Sequence, residues 1–190
     1  DIYEGGHRTP FLVRWPGNVK PGSTSSQTIC TSDLLATLAD VLGRRGKLPA
    51  TAGEDSFSFL PALLGKAGKR PLRPFTIHHS INGSFAIRRG PWKLALCPGS
   101  GGWSGPRPAV AFKNKTLPLV QLYNLESDPA EKTNLRDKHP DLVKDLVSQL
   151  ATAIQNGRTN PGPKQSNKGY PNTFHGRVIA EFPALAAPKK

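Results

Sequence analysis

Residues 75–97, FTIHHSINGSFAIRRGPWKLALC, decide the fold because they contain three strand-length runs separated by turns. Runs of β-branched, aromatic and apolar residues bounded by Gly, Pro, Asn and Ser are typical of strands. The three runs are FTIHHS (75–80), SFAIRR (84–89) and WKLALC (92–97), and a fourth, PLVQLYNL, covers 118–125. The sequence therefore predicts a small four-stranded antiparallel sheet.

The two central runs also predict which side chains face the core. Successive strand residues point to opposite faces of a sheet, so one face of the hairpin carries Phe85, Ile87, Trp92, Leu94 and Leu96. The other face, with Arg88 and Lys93, is expected to face water.

A long helix follows the sheet in the sequence PDLVKDLVSQLATAIQNG (140–157). Its apolar residues recur at helical spacing and form one stripe: Leu142, Val143, Leu146, Val147, Leu150 and Ile154. We expect this helix to lie across the sheet. Just before it, SDPAEKTNL (127–135) predicts a capping box on one helical turn, with Asp128 as the cap, Pro129 as the first helical residue and Glu131 reaching back.

Two elements are predicted ahead of the sheet. The apolar run FLVRW (11–15), closed by Pro16-Gly17, suits a buried strand. TSDLLATLADVLG (31–43) predicts an amphipathic helix with Thr31 or Ser32 as N-cap and Gly43 at its end. Its apolar stripe, expected to face the core, is Leu34, Leu35, Leu38, Val41 and Leu42.

The basic joint KAGKRPLRP (66–74) marks a change from helical to strand periodicity and predicts a boundary. We divide the chain into residues 1–66, residues 67–160, and a basic tail at 161–190 that is rich in Pro and Gly. The tail composition predicts mostly extended or disordered structure.

Composition narrows the class of protein without choosing a function. The formal net charge of +13 attracts polyanions of any kind, although the basic residues are scattered and many suit an ordinary solvated surface. Cys30 and Cys97 could form one disulfide or remain two buried thiols, and neither has zinc-site spacing. No run reaches the length of a membrane span, and neither a phosphate-binding G-x-x-x-x-G-K nor a G-x-S-x-G motif is present.

Four pieces in order carry a resemblance to a known family: YEGGHRTPFLVRWPG (3–17), SDLLATLADVLG (32–43), FAIRRGPWKL (85–94) and LYNLESDPAEKTNL (122–135). Together they resemble the C-terminal portion of the type I, formylglycine-dependent sulfatases, over roughly residues 1–160. The resemblance implies an α/β fold, the C-terminal part of an alkaline-phosphatase-like sulfatase fold, with the small antiparallel sheet packed by the long C-terminal helix. It also implies a periplasmic or secreted enzyme acting on a sulfated glycan or an aryl sulfate, with calcium and formylglycine in the full-length protein.

The resemblance further implies that the catalytic centre is not in this chain. Neither Cys30 nor Cys97 begins a formylglycine signature, and in the family the catalytic lysine and the calcium ligands precede the E-G-G loop. We expect no catalytic residue, no bound metal and no turnover from the chain alone. The open alternatives are a non-catalytic basic module that binds polyanions and a phosphoryl-transfer relative; scattered basic residues argue against nucleic acid as the partner.

The resemblance places several residues near the substrate. His7, one of His78 and His79, and Trp103 in the loop CPGSGGWSGPRP (97–108) are candidates for substrate binding, against the alternatives of structural histidines and a tryptophan tucked under its own loop. Supporting roles for the loop are expected of Glu4, Gly5, Gly6 and Arg8. Gly5 and Gly6 would permit positive φ or close backbone approach, and Glu4 could pair with Arg8.

Overall fold

The computed structural model describes residues 1–166 and 174–186, which form two compact units. The first unit contains residues 1–9 and 77–152 together with 174–186, and the second contains residues 10–76 and 153–166. Residues 1–9 thus group with the sheet, whereas the sequence placed them with residues 10–66. The boundary at residues 66–67 stays a prediction.

The predicted four-stranded sheet is confirmed, in the order β1-β2-β3-β4. Its strands are β1 (Thr76–His79), β2 (Phe85–Arg89), β3 (Trp92–Ala95) and β4 (Gln121–Asn124). Strands β2 and β3 pair antiparallel, with Arg88 opposite Lys93, and Lys93 in turn lies opposite Tyr123 of β4. The Lys93 side chain therefore stands in the middle of the sheet.

The prediction that one face of the β2–β3 hairpin meets water is wrong. Ala86, Ile87, Leu94 and Ala95 are all fully buried, although they alternate between the two faces, and Lys93 is 0% exposed. Ile2 packs with Ala86 and Ala95, so the N-terminal segment covers a face that periodicity alone assigns to solvent. The alternation of apolar and polar residues predicted the strands correctly, but it could not predict which other segments cover the faces of the sheet.

Four helices lie wholly or mainly in the first unit: α1 (Glu4–His7), α4 (Pro108–Lys113), α5 (Pro140–Asn156) and α6 (Gly176–Glu181). The helices are numbered in chain order, and the two missing numbers belong to the second unit. The predicted long helix is confirmed as α5, and its stripe residues Val143, Leu146, Val147 and Leu150 are buried. An ion pair of 2.6 Å between Arg89 and Asp145 joins strand β2 to this helix.

Residues 176–185 of the tail are folded rather than extended. Helix α6 is followed by a 3₁₀ turn at Pro183–Leu185, and Val178 and Leu185 are buried. Arg136 pairs with Glu181 of α6. The extended-tail prediction is therefore wrong for residues 176–185; for residues 167–173 and 187–190 it lies outside the described residues.

The second unit contains α2 (Leu34–Val41) and α3 (Leu60–Leu63), with 3₁₀ turns at Thr31–Asp33 and Arg45–Lys47. A buried ion pair of 2.9 Å between Asp33 and Arg73 connects the start of α2 to the residues before β1. The Asp33 carboxylate also accepts hydrogen bonds from the backbone N–H groups of Cys30 and Phe57. Asp33, rather than Thr31 or Ser32, is thus the residue that holds the beginning of the helix.

Two predictions for this unit are wrong. Residues 11–15 form no strand, and Phe11, Leu12 and Val13 are exposed. The helix at α2 exists, but its leucine stripe is exposed and its buried side consists of Ala36, Thr37 and Ala39. Short side chains face inward because the segment at Ser56–Phe59 lies close: Ala36 N–H donates to Ser56 Oγ and Phe59 N–H donates to Thr37 Oγ1.

The alternatives left open for the cysteines are now resolved. Cys30 and Cys97 are both free thiols, and burial raises the pKa of Cys97 to about 11. Within residues 1–166 and 174–186, none of the helices combines the length and apolar character that crossing a membrane requires.

Candidate functional site

The E-G-G-H stretch forms one helical turn, α1. Neither Gly5 nor Gly6 has positive φ, so that part of the expectation is wrong. The expectation of close backbone approach holds for Gly6 but not for Gly5. A Cβ on Gly6 would lie 2.5 Å from the carbonyl oxygen of Asp1, whereas a Cβ on Gly5 would meet nothing within 4 Å.

Lys93 is the centre of a buried charged cluster that α1 completes. Its Nζ lies 3.1 Å from Glu4 Oε1, 2.8 Å from Glu131 Oε1 and 3.1 Å from His7 Nε2. An ammonium group can donate three hydrogen bonds. Glu4 and His7 accept two of them, and Glu131 adds its negative charge at ion-pair distance. Buried ions persist when they are paired and hydrogen-bonded, and this arrangement meets both conditions.

Glu4 is neutralised from two sides. Lys93 lies on one side, and on the other Arg88, from the neighbouring strand β2, places its Nη1 3.5 Å from Glu4 Oε2. Burial alone would raise the pKa of Glu4, but the cations Lys93 and Arg88 outweigh it and hold that pKa below its usual value. The expected partner Arg8 is exposed, so Glu4 braces α1 against the sheet and not against its own loop.

Glu131 occupies a position that sequence reasoning assigned differently. It was expected to reach back to a helix cap, but its Oε2 accepts the backbone N–H of Glu4 at 2.6 Å while Oε1 faces Lys93. Its φ of 53° is left-handed, which is uncommon for a residue with a side chain. Asp128 instead accepts from the backbone N–H of Thr133. Lys93 and Glu131 are thus site residues that sequence reasoning missed. The signal in the sequence was a lysine inside a predicted strand, together with one acid in each of two motifs, Glu4 and Glu131.

His7 and His78 come together beside this cluster. Their rings are 3.9 Å apart between centroids and tilted by 41°, and His78 Nε2 lies 3.2 Å from the carbonyl oxygen of Ile2. Burial in the first place, and the charge of Lys93, lower the pKa of His78 to about 3. Burial and Lys93 likewise lower the pKa of His7, against the opposing effect of Glu4. Both rings are therefore neutral at physiological pH.

His79 points away from this pair, as expected for adjacent residues of one strand. It is exposed and contacts Phe85 at 4.0 Å between ring centroids. Its ring is partly shielded from water where it packs on Phe85, and this desolvation lowers its pKa as well. Only His78 of the two thus shares a site with His7.

Trp103 is 82% exposed, so it is not tucked under its own loop. The loop is fixed to the first residue of the chain: one Asp1 carboxylate oxygen accepts the N–H groups of Trp103 and Ser104, and the other accepts the Ser104 hydroxyl. Ile2 N–H donates to Ser100 O on the same loop. An exposed aromatic ring on a fixed loop suits contact with a ligand.

No group of three or more potential ligands suited to a metal ion occurs in the described part of the chain. Glu4 and Glu131 do bring two carboxylates together, but Lys93 lies between them and supplies the balancing charge. The cluster therefore does not fit calcium. What the arrangement can do is present two neutral imidazoles and one indole ring from a rigid support.

Comparison with known proteins adds an independent result. No protein-family model matches the chain. It is 35% identical over 158 residues to the N-acetylgalactosamine-6-O-sulfatase of Bacteroides thetaiotaomicron, covering 80% of this chain and 28% of that protein. It is 32% identical over 180 residues to human arylsulfatase A, covering 88% of this chain and 34% of that protein.

A solved structure agrees with these sequence matches. A Bacteroides thetaiotaomicron protein, described in work on the metabolism of multiple glycosaminoglycans, superposes with a TM-score of 0.64 at 34% identity, over 80% of this chain and 30% of its own. The chain spans about a third of the length of the relatives it matches.

Proposed function

The chain belongs to the sulfatase family, and from that membership we propose that it is the C-terminal portion of an enzyme that hydrolyses the sulfate ester of a glycan. The observation that carries the proposal is the similarity along most of the chain to an N-acetylgalactosamine-6-O-sulfatase. The fold supports it, since a solved Bacteroides thetaiotaomicron structure superposes on 80% of this chain with a TM-score of 0.64.

The chemistry determines which part of the task falls to this chain. Cleavage of a sulfate ester needs a strong nucleophile and cations around the sulfuryl oxygens, because the group is anionic and the leaving alcohol is poor. Formylglycine and calcium supply these in full-length members of the family. The described residues here contain no cluster that suits a metal ion. We therefore propose that this chain recognises the sugar and leaves the sulfuryl group to the rest of the enzyme.

Recognition is assigned to residues held on a rigid support. His7 and His78 stand on the Lys93 cluster, and Trp103 on a loop fixed to Asp1. Sugars bind through ring faces that stack on aromatic side chains and through hydroxyl groups that form hydrogen bonds. Exposed His79 remains a second candidate at the edge of the same sheet. We place the enzyme in the periplasm or outside the cell, as expected of the family.

Release of sulfate tests the proposal. The 190-residue chain alone, and a longer protein that includes the coding sequence ahead of Asp1, would be given N-acetylgalactosamine 6-sulfate and a chromogenic aryl sulfate. We expect hydrolysis by the longer protein and none by the chain alone. Turnover by the chain alone would overturn the division of roles. Binding of heparin without hydrolysis by the longer protein would favour a polyanion-binding module instead.

A further inference from the structure

The hydrogen bonds of His7 and His78 determine which ring nitrogen carries the proton in each. A lysine ammonium only donates, so His7 Nε2, 3.1 Å from Lys93 Nζ, must offer a lone pair. A proton on His7 Nε2 would point at the ammonium, and the Glu4 carboxylate that could accept it is farther away, at 3.4 Å. In a neutral ring the remaining proton then lies on Nδ1. His7 therefore carries an Nδ1–H donor.

His78 has the opposite arrangement. Its Nε2 lies 3.2 Å from the carbonyl oxygen of Ile2, which can only accept, so Nε2 carries the proton. The Nδ1 of a neutral His78 is then a lone-pair acceptor. The two stacked rings thus differ in their Nδ1 atoms, one being a donor and the other an acceptor.

The two Nδ1 atoms are the ring nitrogens that hydrogen bonds within the described part of the protein do not use. Among residues 1–166 and 174–186, neither forms a hydrogen bond with the protein, and neither is a sealed, unpartnered buried atom. The rings belong to the first unit, on β1 and α1, and are only partly buried. A ligand group that satisfies both must donate one hydrogen bond and accept another.

We propose that Lys93 is a positioning residue that fixes His7 and His78 as a donor–acceptor pair for a sugar hydroxyl group. A hydroxyl both donates and accepts, which matches the pair. Sulfate and carboxylate groups only accept, and the lone pair of His78 Nδ1 repels them. The pair therefore reads an unsulfated position of the glycan. This inference rests on the proposed function for the nature of the ligand, but the state of the two rings does not depend on it.

The state of the rings can be observed directly. Long-range ¹H–¹⁵N spectra of the ¹⁵N-labelled chain at neutral pH distinguish protonated from unprotonated imidazole nitrogens. We expect the Nδ1–H form for His7 and the Nε2–H form for His78, with exposed His139 as a reference in the same spectrum. The same form in both rings, or a charged ring, would overturn the proposal even in the absence of any ligand.

Two variants separate positioning from general support of the fold. In Lys93→Met the donor to His7 is lost, so His7 should become a mixture of both forms while His78 keeps its Nε2–H form. Glu131→Gln disturbs the same cluster but keeps the lysine, and should leave both rings unchanged. Loss of the His7 preference in Glu131→Gln as well would mean that Lys93 has no specific role. If Lys93→Met does not fold, the wild-type spectrum still decides the state of the pair.

Ligand titration distinguishes a hydroxyl site from an anion site. N-acetylgalactosamine at millimolar concentration should shift the ring signals of both histidines, and sodium sulfate at equal concentration should not. His78→Phe keeps an aromatic ring against His7 but removes the acceptor, so the sugar should bind about tenfold more weakly, as expected for one hydrogen bond. Shifts caused by sulfate and not by the sugar would overturn the proposal. Failure of sulfate release by the longer protein, with sugar binding intact, would count against the proposed function alone.

Discussion

Lys93 Nζ and Glu131 Oε1 lie 2.8 Å apart in an interior where the two side chains are 0% and 3% exposed. The pair joins the middle of the sheet to the segment after β4, and Glu4 adds the N-terminal turn to the same point. Three stretches that are far apart in the sequence therefore depend on one ammonium group.

Replacing Lys93 by methionine should greatly destabilise the first unit. Glu131 would lose its cation in the interior and Glu4 would keep only Arg88. Breaking a buried ion pair costs about 3–5 kcal/mol of the free energy of unfolding. Urea denaturation of the purified chain measures this. Lys144→Met is the matched control, because the Lys144 side chain is 73% exposed and its pair with Asp141 should contribute less than about 1 kcal/mol. Equal losses in the two variants would contradict the cluster's importance.

The two glycines of α1 should respond differently to alanine. In Gly6→Ala the new Cβ would lie 2.5 Å from the Asp1 carbonyl oxygen, so the backbone must shift, at a cost of about 1–3 kcal/mol. In Gly5→Ala the new Cβ meets nothing within 4 Å, and alanine favours a helical turn, so stability should be unchanged or slightly higher. Thermal unfolding of both variants compares them. A loss in Gly5→Ala as large as in Gly6→Ala would be inconsistent with the observed geometry.

The comparison of sequence and structure shows what periodicity can and cannot predict. The strands and α5 were predictable because alternation and helical spacing are local properties. The burial of Lys93 was not, since it depends on Glu4 and Glu131, which neither strand contains. The prediction that the leucines of α2 face the core was wrong for a related reason. A leucine stripe shows that a helix has an apolar face, but it does not show that another part of this chain covers that face. The sequence indicates His7 and His78 as separate candidates, whereas their contact depends on the path of residues 1–7.

The stability of the first unit should fall as the solution becomes acidic. His78 has a folded-state pKa of about 3, well below its value in an unfolded chain, so the unfolded state binds a proton first. Above pH 6.5 His78 is neutral in both states and does not reduce the free energy of unfolding. As the pH falls from about 6.5 toward 3, the free energy of unfolding decreases by up to about 1.4 kcal/mol per pH unit because of this one group. His7, Lys93 and Glu4 face the same ring, and His7 adds to the effect because its pKa is also lowered.

Urea midpoints at pH 7 and pH 5 measure this dependence. His78→Phe should reduce the difference between the two pH values, and His139→Gln, at an exposed position, should leave it unchanged. An unaltered difference in His78→Phe would show that other groups determine the acid sensitivity.

The leucines of α2 should tolerate polar replacement. Leu38 and Leu42 are 56% and 72% exposed, so the double variant Leu38→Gln with Leu42→Gln should change the free energy of unfolding by less than about 1 kcal/mol. It should also raise the soluble concentration of the chain, because a contiguous exposed apolar face promotes association. Light scattering at increasing concentration is the measurement. Ala39→Gln, on the buried side of the same helix, should instead destabilise the second unit.

Trp103 and His78 should affect the binding of the natural substrate more than the chemical step. In the longer enzyme, Trp103→Ala or His78→Ala should raise KM for a sulfated glycan several fold and change the turnover of a small aryl sulfate much less, since uniform binding is lost. Steady-state kinetics on both substrates tests this, with Trp92→Phe as a tryptophan control inside the sheet. Equal effects on the two substrates would indicate structural roles.

The attachment of the Trp103 loop to Asp1 has a mechanical consequence. Asp1 fixes the loop, Ile2 bonds both to Ser100 and to His78, and His7 ends the turn that begins three residues earlier. One short piece of backbone, residues 1–7, thus supports the Trp103 indole and the imidazoles of His7 and His78 together. A displacement of this piece moves all three rings together, so specificity can drift in evolution through residues 1–7 without any substitution of the rings themselves.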